Sequence, residues 1–204
     1  MNKLEDFTKV NIINDKAGVE GGYVYHKADR GGETNHGITK ALAEDYRKQL
    51  VELFKWDGTM MNLSEEMAFW LYDTHFWKRM KGDELLAIHP LIADKCFDVC
   101  INSGVTQGIK NLQLILNLNN NSQRLYSDVV VDGAIGKATL QALSSYVRLR
   151  GSEGIERLIV MLLAEQGSFY SRITQSRGAN EAFYYGWAGR VARDMKIYSK
   201  ILWG

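Results

Sequence analysis

Residues 20–39 read EGGYVYHKADRGGETNHGIT, and they interrupt a chain that otherwise reads as helix. Gly21-Gly22 and Gly31-Gly32 bracket a stretch whose β-formers are Tyr23, Val24 and Tyr25, so the segment reads as a small β-ribbon or structured loop. Upstream, Leu4, Phe7, Val10, Ile13 and Ala17 recur at the spacing of one helix face. Glu20 continues that stripe, which puts a carboxylate where a core residue is expected. Downstream, Thr39 is the N-cap of a helix through Leu42, Tyr46, Leu50, Leu53 and Phe54, which Asp57-Gly58 ends. Ser64, followed by Glu65 and Glu66, starts another through Ala68, Leu71 and His75. Pro90 suits the first turn of a helix carrying Ile92, Cys96, Val99 and Cys100. Further stripes run from Ile109 to Leu116, Leu140 to Val147, Ile155 to Ile173 and Phe183 to Leu202. The fold expected is mainly α, a helical bundle with one small β-ribbon inserted after the first helix.

At 204 residues and 46% hydrophobic, the chain can bury a real core. Its charges nearly cancel to a net +1, which argues against a nucleic-acid partner. The start MNKLEDFTKV has no apolar run, and no stretch supplies the ~18 apolar residues of a membrane span. The expectation is a chain made in the cytoplasm without a signal peptide or integral membrane segment. Cys96 and Cys100 lie four apart on one helix and read as small buried apolar side chains, not as a disulfide framework. His26, His36, His75 and His89 lack ligand spacing, so neither a metal nor a cofactor is expected. With no linker in view, two regions, 1–93 and 94–204, are expected to pack as one compact unit, with a hinge near Asp94.

Glycosidic cleavage needs a protonated acid beside the leaving oxygen and a second carboxylate or held water across from it. Glu20 and Asp29 are the obvious pair, although nine-residue spacing by itself describes two solvated acids equally well. Their surroundings sharpen the reading. Glycines follow each acid, and Thr34, Asn35 and Thr39 add short hydroxyl and amide groups that can hold water or sugar. Glu33 is an extra acid that competes with Asp29 for the second role.

The run from Glu20 to Val24, with Asp29, Gly31-Gly32, Thr34-Asn35 and Gly37-Ile38-Thr39, resembles the signature EGGY...DxGGxTNxGIT of the glycoside hydrolase 108 muramidases. That family includes phage endolysins and chains once labelled secretion activators. Asn62 to Trp77 is similar to its next helix. Phe97-Asp98, Asn102-Ser103-Gly104, Asp132-Gly133, Ile135-Gly136, Thr139 and Gly186-Trp187 with Arg190-Val191 resemble the peptidoglycan-binding region that follows. The resemblance implies a lysozyme-like α+β fold and hydrolysis of the β-1,4 bond between N-acetylmuramic acid and N-acetylglucosamine. It implies Glu20 as catalytic acid, with Asp29 and Thr34 completing a Glu, Asp, Thr arrangement. Because the spacing from Asp29 to Thr34 is shorter than in phage-type lysozymes, a retaining or inverting outcome stays open.

Substrate contacts are expected from Tyr23, Gly32, Asn35, Thr39 and Asn102, the last at a helix end where a cap is the competing reading. Tyr25 and Trp70 are stacking candidates, with core packing the rival for Trp70. Arg190, Arg193, Lys196 and Lys200 form a basic patch, read as a solvated helix face or as an attraction to anionic wall polymer; Trp187 reads as core. The implied partner is a peptidoglycan strand reached after release or export, in phage lysis or in wall remodelling. A lytic transglycosylase and a noncatalytic wall-binding protein are the alternatives.

Overall fold

The computed structural model describes residues 3–19, 21–25 and 32–204. It divides into two compact units, Lys9–Lys78 on one side and Met1–Thr8 with Arg79–Gly204 on the other. The expected architecture holds: the chain is mainly α, lysozyme-like, with one small antiparallel sheet after the first helix.

In the Lys9–Lys78 unit, α1 (Lys9–Val19) leads into the sheet β1 (Val24–Tyr25), β2 (Glu33–Asn35) and β3 (Ile38–Thr39), in the order β1-β2-β3. Thr39 then caps α2 (Lys40–Asp45), its Oγ1 accepting from the Leu42 N–H at 3.3 Å. The helix expected as far as Phe54 breaks at Tyr46, whose φ and ψ of −109° and 13° are not helical, and resumes as α3 (Arg47–Phe54). Leu50 is buried but Leu53 is exposed, so the break turns the apolar face away from its extrapolated line. Ser64 caps α4 (Glu65–Leu71), accepting from Met67 N–H at 3.3 Å, and α4 packs against α1. Past Leu71 the helix widens into a π-turn, Tyr72–Trp77, in which Lys78 N–H reaches back five residues to the Asp73 carbonyl at 2.9 Å.

In the other unit, residues Leu4–Asp6 form a short 3-10 turn, not the start of α1. The stripe drawn from Leu4 through Val10 is corrected accordingly: Leu4 and Val10 are exposed, whereas α1, starting at Lys9, buries Ile12 and Ile13. α5 (Gly82–Ile88), unforeseen in the sequence, precedes α6 (Pro90–Ser103), which has Pro90 at its first turn and every residue from Leu91 to Cys100 buried. Asp94, where a hinge is expected, lies inside α6. α7 (Val105–Leu118) turns back along α6, and Gly108 allows the approach: a Cβ there would stand 2.7 Å from Cys100 Sγ and 3.0 Å from its backbone nitrogen. Cys96 and Cys100 are free and buried, as expected, and burial pushes the Cys96 thiol up to about 12. The long helix α8 (Lys137–Ser176) kinks at Gly151, whose φ of 57° ends one of the two expected stripes and begins the next. α9 (Glu181–Leu202) packs along α8.

Candidate active site

The ribbon's geometry follows from a tight turn. Asn35 pairs with Ile38, so His36 and Gly37 close the β2–β3 hairpin, and both have positive φ (48° and 74°), the requirement of a two-residue type I′ turn. The His36 carbonyl accepts from the Tyr72 hydroxyl at 3.1 Å, which fastens the turn to the π-turn. His36 thus serves as a turn residue, and the signal available in the sequence was its place before Gly37.

Alternation sorts the site residues onto opposite faces. Asn35 and Ile38 share the core-facing side and are 4% and 0% exposed. Thr34, one residue away, stands on the other side between its partners Val24 and Thr39. Asn35 is an anchor: its Nδ2 donates to the carbonyls of Met60 (2.7 Å) and Leu63 (3.2 Å). The loop it holds is tied again at Asp57, which accepts from Thr59 N–H at 2.8 Å and from Asn62 Nδ2 at 2.7 Å. Those bonds hold the Asp57 carboxyl below the usual carboxylate range. Among the expected sugar contacts, Tyr23 is exposed, and Gly32, at φ 65°, has open space where a Cβ would be. Glu33 is engaged with Lys40, whose Nζ donates to Glu33 Oε1 at 2.9 Å; that hydrogen bond raises the lysine's pKa.

Glu20 and Asp29 lie outside the described residues, as does His26. What surrounds them in the chain is defined. Gly21, directly after Glu20, has φ 72°, the left-handed value common just past a helix end. The first turn of α1 is held by Asp73, which takes Lys9 Nζ at 2.7 Å and Lys78 Nζ at 2.9 Å. Partial burial opposes the charged form of Asp73, but the hydrogen bonds from the two lysines outweigh it and lower its pKa. A carboxylate with a lowered folded pKa gives stability that is present above its unfolded value and lost as pH falls through the folded value. Asp73→Asn should therefore lower Tm at neutral pH and flatten its decline below about pH 4, where the unfolded carboxylate begins to protonate. A thermal melt series across that range checks both effects, and an unchanged acid slope would detach Asp73 from the fold's pH response.

The same unit holds an aromatic cluster. Tyr46 meets Trp70 and His75 edge-on, with ring centroids 5.8 and 5.7 Å apart, and its hydroxyl lies 3.2 Å from His75 Nδ1. Trp70 also meets Phe54 edge-on, and this shared cluster favours the packing reading of that residue.

Asn102 belongs to the other unit, in the last turn of α6. Its Nδ2 donates to the Asp98 carbonyl (2.8 Å) and to Asp98 Oδ1 (3.2 Å), and among the described residues its Oδ1 accepts no hydrogen bond. Asp98 is fixed in turn by a buried network that sequence patterning did not reveal. Lys95, 0% exposed, donates from Nζ to Asp98 Oδ2 (2.9 Å), Gln166 Oε1 (2.6 Å) and Asp194 Oδ2 (2.9 Å). Gln166 Nε2 returns a bond to Asp98 Oδ2 at 2.9 Å, and Tyr198 donates to Asp94. Burial and the Asp94 charge push the Tyr198 phenol well above its ordinary value. The residues of the Asp132-Gly133 motif are also structural: Gln113 Nε2 donates to Asp132 Oδ1, the Ala134 carbonyl and Thr139 Oγ1, and its Oε1 accepts from Gly133 N–H.

Residues 14–104 match the family described as Glycosyl hydrolase 108, and residues 107–192 match one described as Predicted Peptidoglycan domain. The chain carries a glycosyl hydrolase 108 domain. That domain takes in the second half of α1, the whole ribbon and α6, and ends at Gly104, just past Asn102. The peptidoglycan domain runs from α7 into α9. The described fold is similar to that of Brucella abortus SagA, at 26% identity and a TM-score of 0.60, over 93% of this chain and 91% of that one. No curated protein matches the chain by sequence. The glycosyl hydrolase 108 match supports a glycosidase, and the peptidoglycan-domain match supports a peptidoglycan partner.

Proposed function

We propose that this glycosidase is an N-acetylmuramidase, hydrolysing the β-1,4 bond between N-acetylmuramic acid and N-acetylglucosamine with Glu20 as general acid. The observation that carries the reading is the family match over residues 14–104, which spans Glu20, Asp29 and Thr34. In this mechanism Glu20 passes its proton to the bridging oxygen as the C1–O bond breaks, and the positive charge develops on the muramic ring. Asp29 balances that charge or takes the proton of the incoming water, which Thr34 orients from the outward face of the sheet. Tyr23, Gly32 and Thr39 border the sugar, and Asn35 acts by holding the ribbon to the loop beneath it. The catalytic work falls to residues 1–93. Asn102, inside the glycosyl hydrolase match, offers an acceptor to an N–H of the polymer, and wall binding falls to the region that follows it, within residues 94–204.

The test is clearance of a purified peptidoglycan suspension with release of new reducing ends. Clearance that frees stem peptides without reducing ends would overturn the reading. Within that assay Asp29→Asn should cost on the order of 10²–10⁴ in rate. Glu33→Gln should cost little, because the Glu33 carboxylate is held by Lys40; the reverse order would assign Glu33 the second role.

A further inference from the structure

The outward face of α9 has a composition that its own packing does not explain. Its buried side is formed by Asp194 and Tyr198. On the opposite side Tyr185 is 91% exposed, the most exposed of the large apolar or aromatic side chains among the described residues. At helical spacing, Gly189, Ala192, Arg193 and Lys196 continue that side from Tyr185, covering roughly 16 Å of helix axis. Gly186 and Gly189 lie in helical backbone, where each costs stability relative to alanine, and a Cβ at either would meet nothing within 4 Å. Neither glycine is needed for packing within the chain. Both leave the backbone open to close approach from outside.

Charge supplies the second argument. α9 carries Arg190, Arg193, Lys196 and Lys200 against Glu181 and Asp194, and Asp194 is buried on Lys95. Lys196 and Lys200 form no ion pair with a described residue, and Arg193 reaches only Asp194 Oδ1, at 3.6 Å. An exposed tyrosine, a saddle of small residues and a cationic end suit a polymer that offers flat, partly apolar units together with carboxylates. We infer that this face of α9 docks peptidoglycan, with its carboxylate-bearing peptide stems on Arg193 and Lys196 and Tyr185 against the chain beside them. The inference rests on the wall-polymer reading of the function and assigns that partner a surface.

The experiment is pelleting of the full chain with insoluble sacculi, on ice and in the Glu20→Gln background so that digestion does not remove the probe. Tyr185→Ala with Arg193→Glu and Lys196→Glu should weaken pelleting by at least about tenfold. Added salt should weaken the native face in the same direction. Gly189→Leu is the control for folding: it should leave Tm unchanged or raise it by a few degrees, yet also reduce pelleting, because it fills the saddle. Unchanged pelleting in both variants would overturn the inference. So would retention of the native face by phosphatidylglycerol vesicles in preference to sacculi, which would make it a membrane surface. If the Glu20→Gln chain still clears the suspension on warming, the acid assignment fails while the pelleting result stands separately.

Discussion

Glu20→Gln should abolish the clearance of a peptidoglycan suspension and leave the thermal melt close to that of the native chain. Gln keeps the size and polarity of Glu but cannot deliver a proton to the leaving oxygen. General-acid help of this kind is worth on the order of 10²–10⁴ in rate, and departure of a sugar alkoxide is the step that needs it most. To act as the acid near neutral pH a carboxyl must hold its proton, which a partly desolvated position favours. Retained clearance would remove Glu20 from the mechanism. Lost clearance with a collapsed melt would mean only that the fold had been damaged, and Glu20→Asp would then separate the two cases.

The largest expected loss of stability lies at Lys95→Met. All three Lys95 donors are used, on two carboxylates and an amide, in a site with 0% exposure. Methionine fills similar volume but leaves Asp98 and Asp194 buried without their ammonium partner, and removing one member of such a buried arrangement costs about 3–5 kcal/mol. For a chain of this size that corresponds to a Tm drop on the order of 10 °C. The abandoned carboxylates favour protonation, so the deficit should shrink as the solution is acidified, and adding Asp194→Asn should recover part of it. Thermal and denaturant unfolding measure both effects. A loss under about 1 kcal/mol would show that the network tolerates an apolar replacement.

The network also explains where reading the sequence succeeded and where it stopped. Local signals were legible: Thr39, Ser64 and Pro90 stand where capping and first-turn preferences place them, and the ribbon forms between its glycines. Signals that depend on distant partners were not. Within the stripe expected from Phe183 to Leu202, the apolar Met195 is exposed, while Asp194 and Tyr198 are buried because α6 offers them Lys95 and Asp94. Those partners lie 99 and 104 residues away in sequence, and no helical period reports them. The break at Tyr46 and the π-turn at Tyr72–Trp77 are likewise set by packing, since neither has a glycine or proline to announce it. At the site, Asn35 was legible as important, but its core-facing direction follows from the hairpin register, which only the fold fixes.

The most direct test of the account is digestion of purified peptidoglycan in isotopically heavy water, followed by mass spectrometry of the soluble fragments. The account predicts fragments that end in reducing N-acetylmuramic acid carrying one heavy oxygen, formed by the native chain and not by Glu20→Gln. Fragments ending in 1,6-anhydro-muramic acid without added water, or labelled N-acetylglucosamine ends, would contradict it.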